Sequence, residues 1–89
     1  MTSWSIVIEE SARKDLNKLG RANSARVLKF LITRVATLSN PRQLGGPLSS
    51  PLSGIWRYRV GAIRILAKIE DDRLVVVVVA IGNRREIYR

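Results

Sequence analysis

The residues with the most chemistry in them are the arginines of the C-terminal half. Arg57 and Arg59 lie in Trp56-Arg57-Tyr58-Arg59-Val60, Arg64 follows Gly61-Ala62-Ile63, and Arg84 and Arg85 come near the end, ahead of Tyr88. A guanidinium offers planar, bidentate donors to phosphate and a flat surface for stacking, so arginines beside a tyrosine suit single-stranded RNA. Alternation along a strand places Arg57 and Arg59 on one face, opposite Trp56 and Tyr58, and a tight hairpin brings Arg64 to join them. Like charges held this close cost stability unless acids pair with them. The nearby carboxylates Glu70, Asp71, Asp72 and Glu86 fall at a turn or in the tail. Alternation alone equally fits ordinary exposed strand arginines, while Trp56 and Tyr58 read as core packing rather than base-stacking residues.

Composition narrows the possibilities further. The 89 residues allow one domain with one modest core, and the 46% hydrophobic and 26% charged fractions are those of a chain that folds. Sixteen Lys and Arg against seven Asp and Glu leave a net charge of +9. A polyanion or an acidic protein offsets such a charge, though excess charge also serves solubility. The chain has no cysteine and no histidine, which removes disulfides, thiolate metal sites and the commonest catalytic base. Neither a metal nor another cofactor is expected. No apolar run is long enough to span a bilayer and the N-terminus lacks a signal-peptide pattern, so the expected compartment is the cytoplasm, without membrane partners.

Several elements must position the arginines. Trp4, Ile6 and Ile8 alternate with Ser5 and Val7, predicting a first strand. Ser11 precedes a segment with Ala12, Leu16 and Leu19 at helical spacing, ended by Gly20. A second helix is predicted from Asn23 or Ser24, either of which can cap it, through Val27, Leu28, Leu31, Ile32, Val35 and Leu38 to Asn40-Pro41. About four residues between the helices predict an antiparallel hairpin, with Arg26, Lys29 and Arg34 on its outer face. Pro41 to Gly54 reads as a loop without regular structure. After it come the Trp56–Val60 and Ile63–Glu70 hairpin, the Asp71-Asp72 turn, and an apolar strand from Leu74 to Ile81 that Gly82 breaks. The order predicts an α+β fold in which an N-terminal strand and a two-helix hairpin pack on a mainly antiparallel four-stranded sheet, with the uncovered face as the working one.

Taken together, Leu52-Ser53-Gly54-Ile55-Trp56-Arg57-Tyr58-Arg59-Val60-Gly61-Ala62-Ile63-Arg64-Ile65 and the closing Ile81-Gly82-Asn83-Arg84-Arg85-Glu86-Ile87-Tyr88-Arg89 closely resemble the RelE toxins of bacterial and archaeal toxin–antitoxin modules. The preceding strand and helices match in order and length, so the likeness covers residues 1–89 as a single domain. It implies cleavage of mRNA in the ribosomal A site by a metal-independent endoribonuclease. Attack of a ribose 2′-OH on the adjacent phosphate would leave a 2′,3′-cyclic phosphate and a 5′-OH. The implied catalytic residues are Arg59, Arg64, Arg84 and Tyr88, with Arg57, Asn83 and Arg85 as further RNA-binding residues. The implied partners are the ribosome and mRNA, a RelB-like antitoxin that silences the basic surface, and DNA indirectly through the antitoxin complex.

Two departures bear on mechanism. The best-known members carry lysines where this chain has Arg57 and Arg59, and arginine is always protonated and a poor base. Either Tyr88, its pKa lowered by neighbouring arginines, takes the proton, or catalysis rests on positioning and charge stabilisation, the second being the larger contribution. Asn83 stands where many relatives have histidine, and the terminal helix of some members is not expected after Arg89. Two other readings compete: a ParE-type toxin with the same fold that poisons DNA gyrase, and a non-catalytic nucleic-acid-binding module.

Overall fold

The computed structural model describes residues 3–48 and 54–83. Its elements are strand β1 (Ser5–Ile8), helices α1 (Glu10–Lys18) and α2 (Arg21–Phe30), and strands β2 (Gly46–Pro47), β3 (Trp56–Val60), β4 (Ile63–Glu70) and β5 (Val75–Asn83). The sheet order is β1-β5-β4-β3-β2. The two helices carry the chain across one face, so β1 pairs in parallel with the last strand while every other pair is antiparallel. The α+β prediction holds, with one correction. The sheet has five strands, because Gly46 and Pro47 add a short edge strand opposite Arg57 and Trp56 within the segment predicted to lack regular structure.

That edge strand is held by side chains of β3. The Trp56 indole N–H donates to the Leu44 carbonyl at 2.7 Å, and the buried Tyr58 hydroxyl donates to the Pro41 carbonyl at 2.8 Å. Gly45, at φ +74°, lets the loop backbone lie against β3, since a Cβ there would run into the Arg57 carbonyl oxygen. Trp56 and Tyr58 are therefore packing residues, as predicted. Tyr58 also meets Phe30 edge-on, with ring centroids 6.1 Å apart.

The helices begin and end differently from their sequence signals. Leu19 and Gly20 alone join them, and Gly20 at φ 85° stands before α2 in place of a capping side chain. Asn23 and Ser24 thus fall inside the helix, the Asn23 side-chain amide donating to the Leu19 carbonyl. Beyond Phe30 the helix widens into a π turn over Leu31–Val35, with the Ala36 N–H bonded to the Leu31 carbonyl. Val27, Leu31 and Val35 are fully buried on one stripe, each worth about 1.5–3 kcal/mol relative to exposure. Ile32, expected among them, turns outward and is 60% exposed.

On the helix-covered face, Tyr58, Ile65, Ala67, Val76 and Val78 complete the core. β5 continues through Gly82 to Asn83, so Gly82 does not end it. One irregularity interrupts its pairing with β4: Leu66 faces Ala80 but Ala67 faces Val78, leaving Val79 as an extra residue. The bulge lies just beyond the last residue of β1, and α1 takes over the exposed edge. The Ser11 hydroxyl donates to the Val79 carbonyl at 3.1 Å, and the Asp15 carboxylate accepts from the Ile81 N–H at 3.0 Å. Ser11 and Asp15 are one helical turn apart, which is why both reach the same strand.

Candidate nucleic-acid interface

β3 and β4 place three of the predicted site arginines. A two-residue turn, Gly61-Ala62, joins the strands with positive φ at Gly61 only, the glycine-first pattern of a type II′ hairpin. This turn fixes the register, in which Arg59 lies directly opposite Arg64 and Arg57 opposite Leu66. In a two-residue hairpin the closing pair Val60 and Ile63 exchange hydrogen bonds, which makes Arg59–Arg64 a non-hydrogen-bonded pair. Such pairs bring Cα atoms to about 4.5 Å and their side chains closest together. On the other side of Arg64 the register places Gly82, which has no side chain.

The environment of Arg64 is unusual for a strand arginine. It is 9% exposed, and its buried Nε has no hydrogen-bond partner among the described residues. A buried, unsatisfied charged donor costs on the order of 1–3 kcal/mol or more, and here a second guanidinium faces it across the ladder. The two ion pairs among the described residues, Arg42–Asp71 and Arg73–Glu70, lie toward the far end of β4. Arg42 and Asp71 are joined bidentately at 2.8 and 2.9 Å, which raises the guanidinium pKa and holds the carboxyl below its ordinary value. Glu70 and Asp71, two of the acids nearest the arginines in sequence, are thus paired with other cations. An anion supplies what Arg59 and Arg64 lack: negative charge and acceptor oxygens.

Asn83 ends β5 opposite Ile63, exposed, one register step from the Arg64–Gly82 pair. Alternation puts it on the opposite side of the ladder from Arg64, so the structure brings Asn83 near the same end of the sheet without placing it on the arginine face. Arg84, Arg85 and Tyr88 lie outside the described residues. Burial, principally, pushes the Tyr58 hydroxyl up to about 12, which keeps it a neutral donor and unsuited to act as a base. Among the described residues no three His, Cys, Asp or Glu side chains converge as metal ligands, and no helix is long and apolar enough to cross a membrane.

One basic residue that sequence reasoning assigned to an outer face belongs here. Arg34, on the π turn, lines a cleft of about 690 Å³ with Phe30, Gly45, Arg57, Tyr58 and Arg59. The available signal was its spacing of four from Phe30, which puts both on one helical stripe. Asp15 also has no local signature in the sequence: its bond to Ile81 spans 66 positions.

Comparison with known proteins agrees with this architecture. Residues 6–88 match the family model described as ParE toxin of type II toxin-antitoxin system, parDE. The chain is 31% identical over 86 residues to Toxin RelG of Mycobacterium tuberculosis, covering 97% of each. It is 30% identical over 86 residues to Toxin RelE of the same organism, covering 97% of this chain and 87% of that one. Among solved structures, the toxin–antitoxin complex RelBE2 from Mycobacterium tuberculosis matches with a TM-score of 0.85 and 29% identity over 97% of each chain. The arginine-bearing hairpin thus sits on a shared scaffold: the chain belongs to the RelE family of type II toxins, within the superfamily that also contains the ParE toxins.

Proposed function

We propose that this toxin is a ribosome-dependent mRNA endoribonuclease whose Arg59 and Arg64 hold the scissile phosphate. The observation that carries the reading is the facing pair of guanidinia, with the Arg64 Nε buried and unpartnered among the described residues. The 2′ oxygen bonds to phosphorus as its proton leaves, the bond from phosphorus to the 5′ oxygen breaks, and that oxygen takes up a proton. The products are a 2′,3′-cyclic phosphate and a 5′-OH. Charge builds on the phosphate oxygens at the transition state, and Arg59, Arg64 and Arg84 stabilise it in place of a metal ion. Tyr88 stacks beside the base and assists proton transfer, while Arg57, Asn83 and Arg85 bind RNA. Positioning and charge carry most of the rate, because arginine cannot act as a base. The partners are the ribosome and mRNA, a RelB-like antitoxin that covers the arginine face, and DNA through that antitoxin. The cytoplasm is the corresponding compartment.

Single-turnover cleavage on programmed ribosomes tests this, with product ends assayed for the cyclic phosphate. Arg64→Met removes a charge and fills the same space, and should lower the rate by about 100-fold or more while leaving thermal stability equal or higher. A variant that cuts within threefold of the parent sinks the assignment. The match to the ParE model supports a second reading, gyrase inhibition. Loss of supercoiling activity with intact cellular mRNA would decide for it.

A further inference from the structure

The cleft beside Arg34 lies at the edge of the sheet where β2 stops and β3 continues. β2 pairs only with Trp56 and Arg57, so the backbone N–H and C=O of Arg59, turned away from β4 by the hairpin register, face an edge that no strand among the described residues covers. Arg34, Arg57 and Arg59 all line the cleft, and none makes an ion pair among the described residues. Phe30, half-buried, supplies an aromatic wall held by its edge-on contact with Tyr58. The facing wall is fixed by the Trp56–Leu44 and Tyr58–Pro41 hydrogen bonds and by the close approach of Gly45, so the cleft is largely preformed. Its volume is that of a small-ligand pocket. Arg59 belongs both to this cleft and to the pair with Arg64, so one ligand can run continuously from one to the other.

We infer that the cleft is a second nucleotide subsite, in which Arg34 and Arg57 hold the phosphate next to the scissile one and Phe30 meets its base. This rests on the RNA reading above and extends it to a residue of the helical layer. Three cations, an aromatic wall and unpaired backbone groups match the phosphate, the flat base and the base edge of a single strand. An acidic peptide strand from a protein partner would use the cations and the backbone, and would leave Phe30 without a specific role.

The test is fluorescence anisotropy with a single-stranded RNA of about five nucleotides, methylated at every 2′ oxygen so that it cannot be cut, titrated over a range of salt. Arg34→Ala should weaken binding about tenfold and reduce the slope of log affinity on log salt by about 0.7, the value for one phosphate contact on a single strand. Arg34→Lys should restore the slope. Phe30→Leu should weaken the intact oligonucleotide about tenfold and leave one with an abasic site at the matching position unchanged. Unchanged affinity and slope in Arg34→Ala overturn the subsite, as does an Arg34→Ala effect confined to antitoxin binding. The probe reports binding without cutting, so the two readings fail separately. Arg34-dependent binding by a toxin that leaves mRNA intact upholds the subsite and overturns the ribonuclease, whereas cleavage with Arg34-independent binding does the reverse.

Discussion

Replacing Asp15 should loosen the end of β5 that leads to the proposed catalytic tail. The bulge at Val79 turns the Ile81 N–H away from β4 and past the end of β1, and the Asp15 carboxylate is its partner, at 3.0 Å. Ile81 is 4% exposed, so in Asp15→Ala water has poor access to the freed donor. The expected loss combines a charge-assisted hydrogen bond with an unsatisfied buried N–H, about 1.5–3 kcal/mol. Asp15→Asn keeps an acceptor and should cost about half as much. Ser11→Ala, which removes the bond to the Val79 carbonyl at an exposed site, should cost about 0.5–1 kcal/mol. Because both residues grip one bulge, the double variant should depart from additivity by at least about 0.5 kcal/mol. Urea unfolding gives the global loss, and amide exchange at Ile81 gives the local one, which should rise well ahead of exchange at Val76. Ile81 lies two residues before Asn83 and three before Arg84, so RNA cleavage should fall in the order of Ile81 exchange. If Asp15→Ala lost less than about 0.5 kcal/mol and Ile81 exchanged as in the parent, the staple would carry no weight and the reasoning would be wrong.

Two other outcomes follow from the β3 side of the sheet. Tyr58 has a folded-state pKa of about 12, above the ordinary tyrosine value, so the neutral phenol is favoured by folding. That stability is complete below about pH 10 and should be lost, by about 2 kcal/mol, as pH rises toward 12; Tyr58→Phe should be destabilised at neutral pH and should lack this alkaline loss in urea titrations. Gly45→Ala should destabilise by about 3 kcal/mol or more, through positive φ and collision with the Arg57 carbonyl, and a melting temperature within about 2 °C of the parent would show that β2 can move aside.

The parts legible in the sequence are those set by local pattern. The period-2 runs determined β1, β3 and β4, the unbroken apolar run marked β5, and the spacing of Val27, Leu31 and Val35 determined the buried stripe of α2. Gly61-Ala62 between the runs was enough to place Arg59 and Arg64 face to face, because the turn sets the register. The net charge of +9 and the absence of histidine and cysteine pointed to an anionic ligand bound by cations alone. Other features depended on groups far apart in the chain. Gly46–Pro47 becomes a strand only because Trp56 and Tyr58 bind the loop carbonyls, and nothing within the loop predicts it. Arg34 reaches the arginine cleft because α2 packs beside β3, and Asp15 finds a partner only because a bulge turns the Ile81 N–H away from β4. Periodicity fixes which face a residue takes on its own element; which cavity or unpaired backbone group that face meets is fixed only when the elements pack.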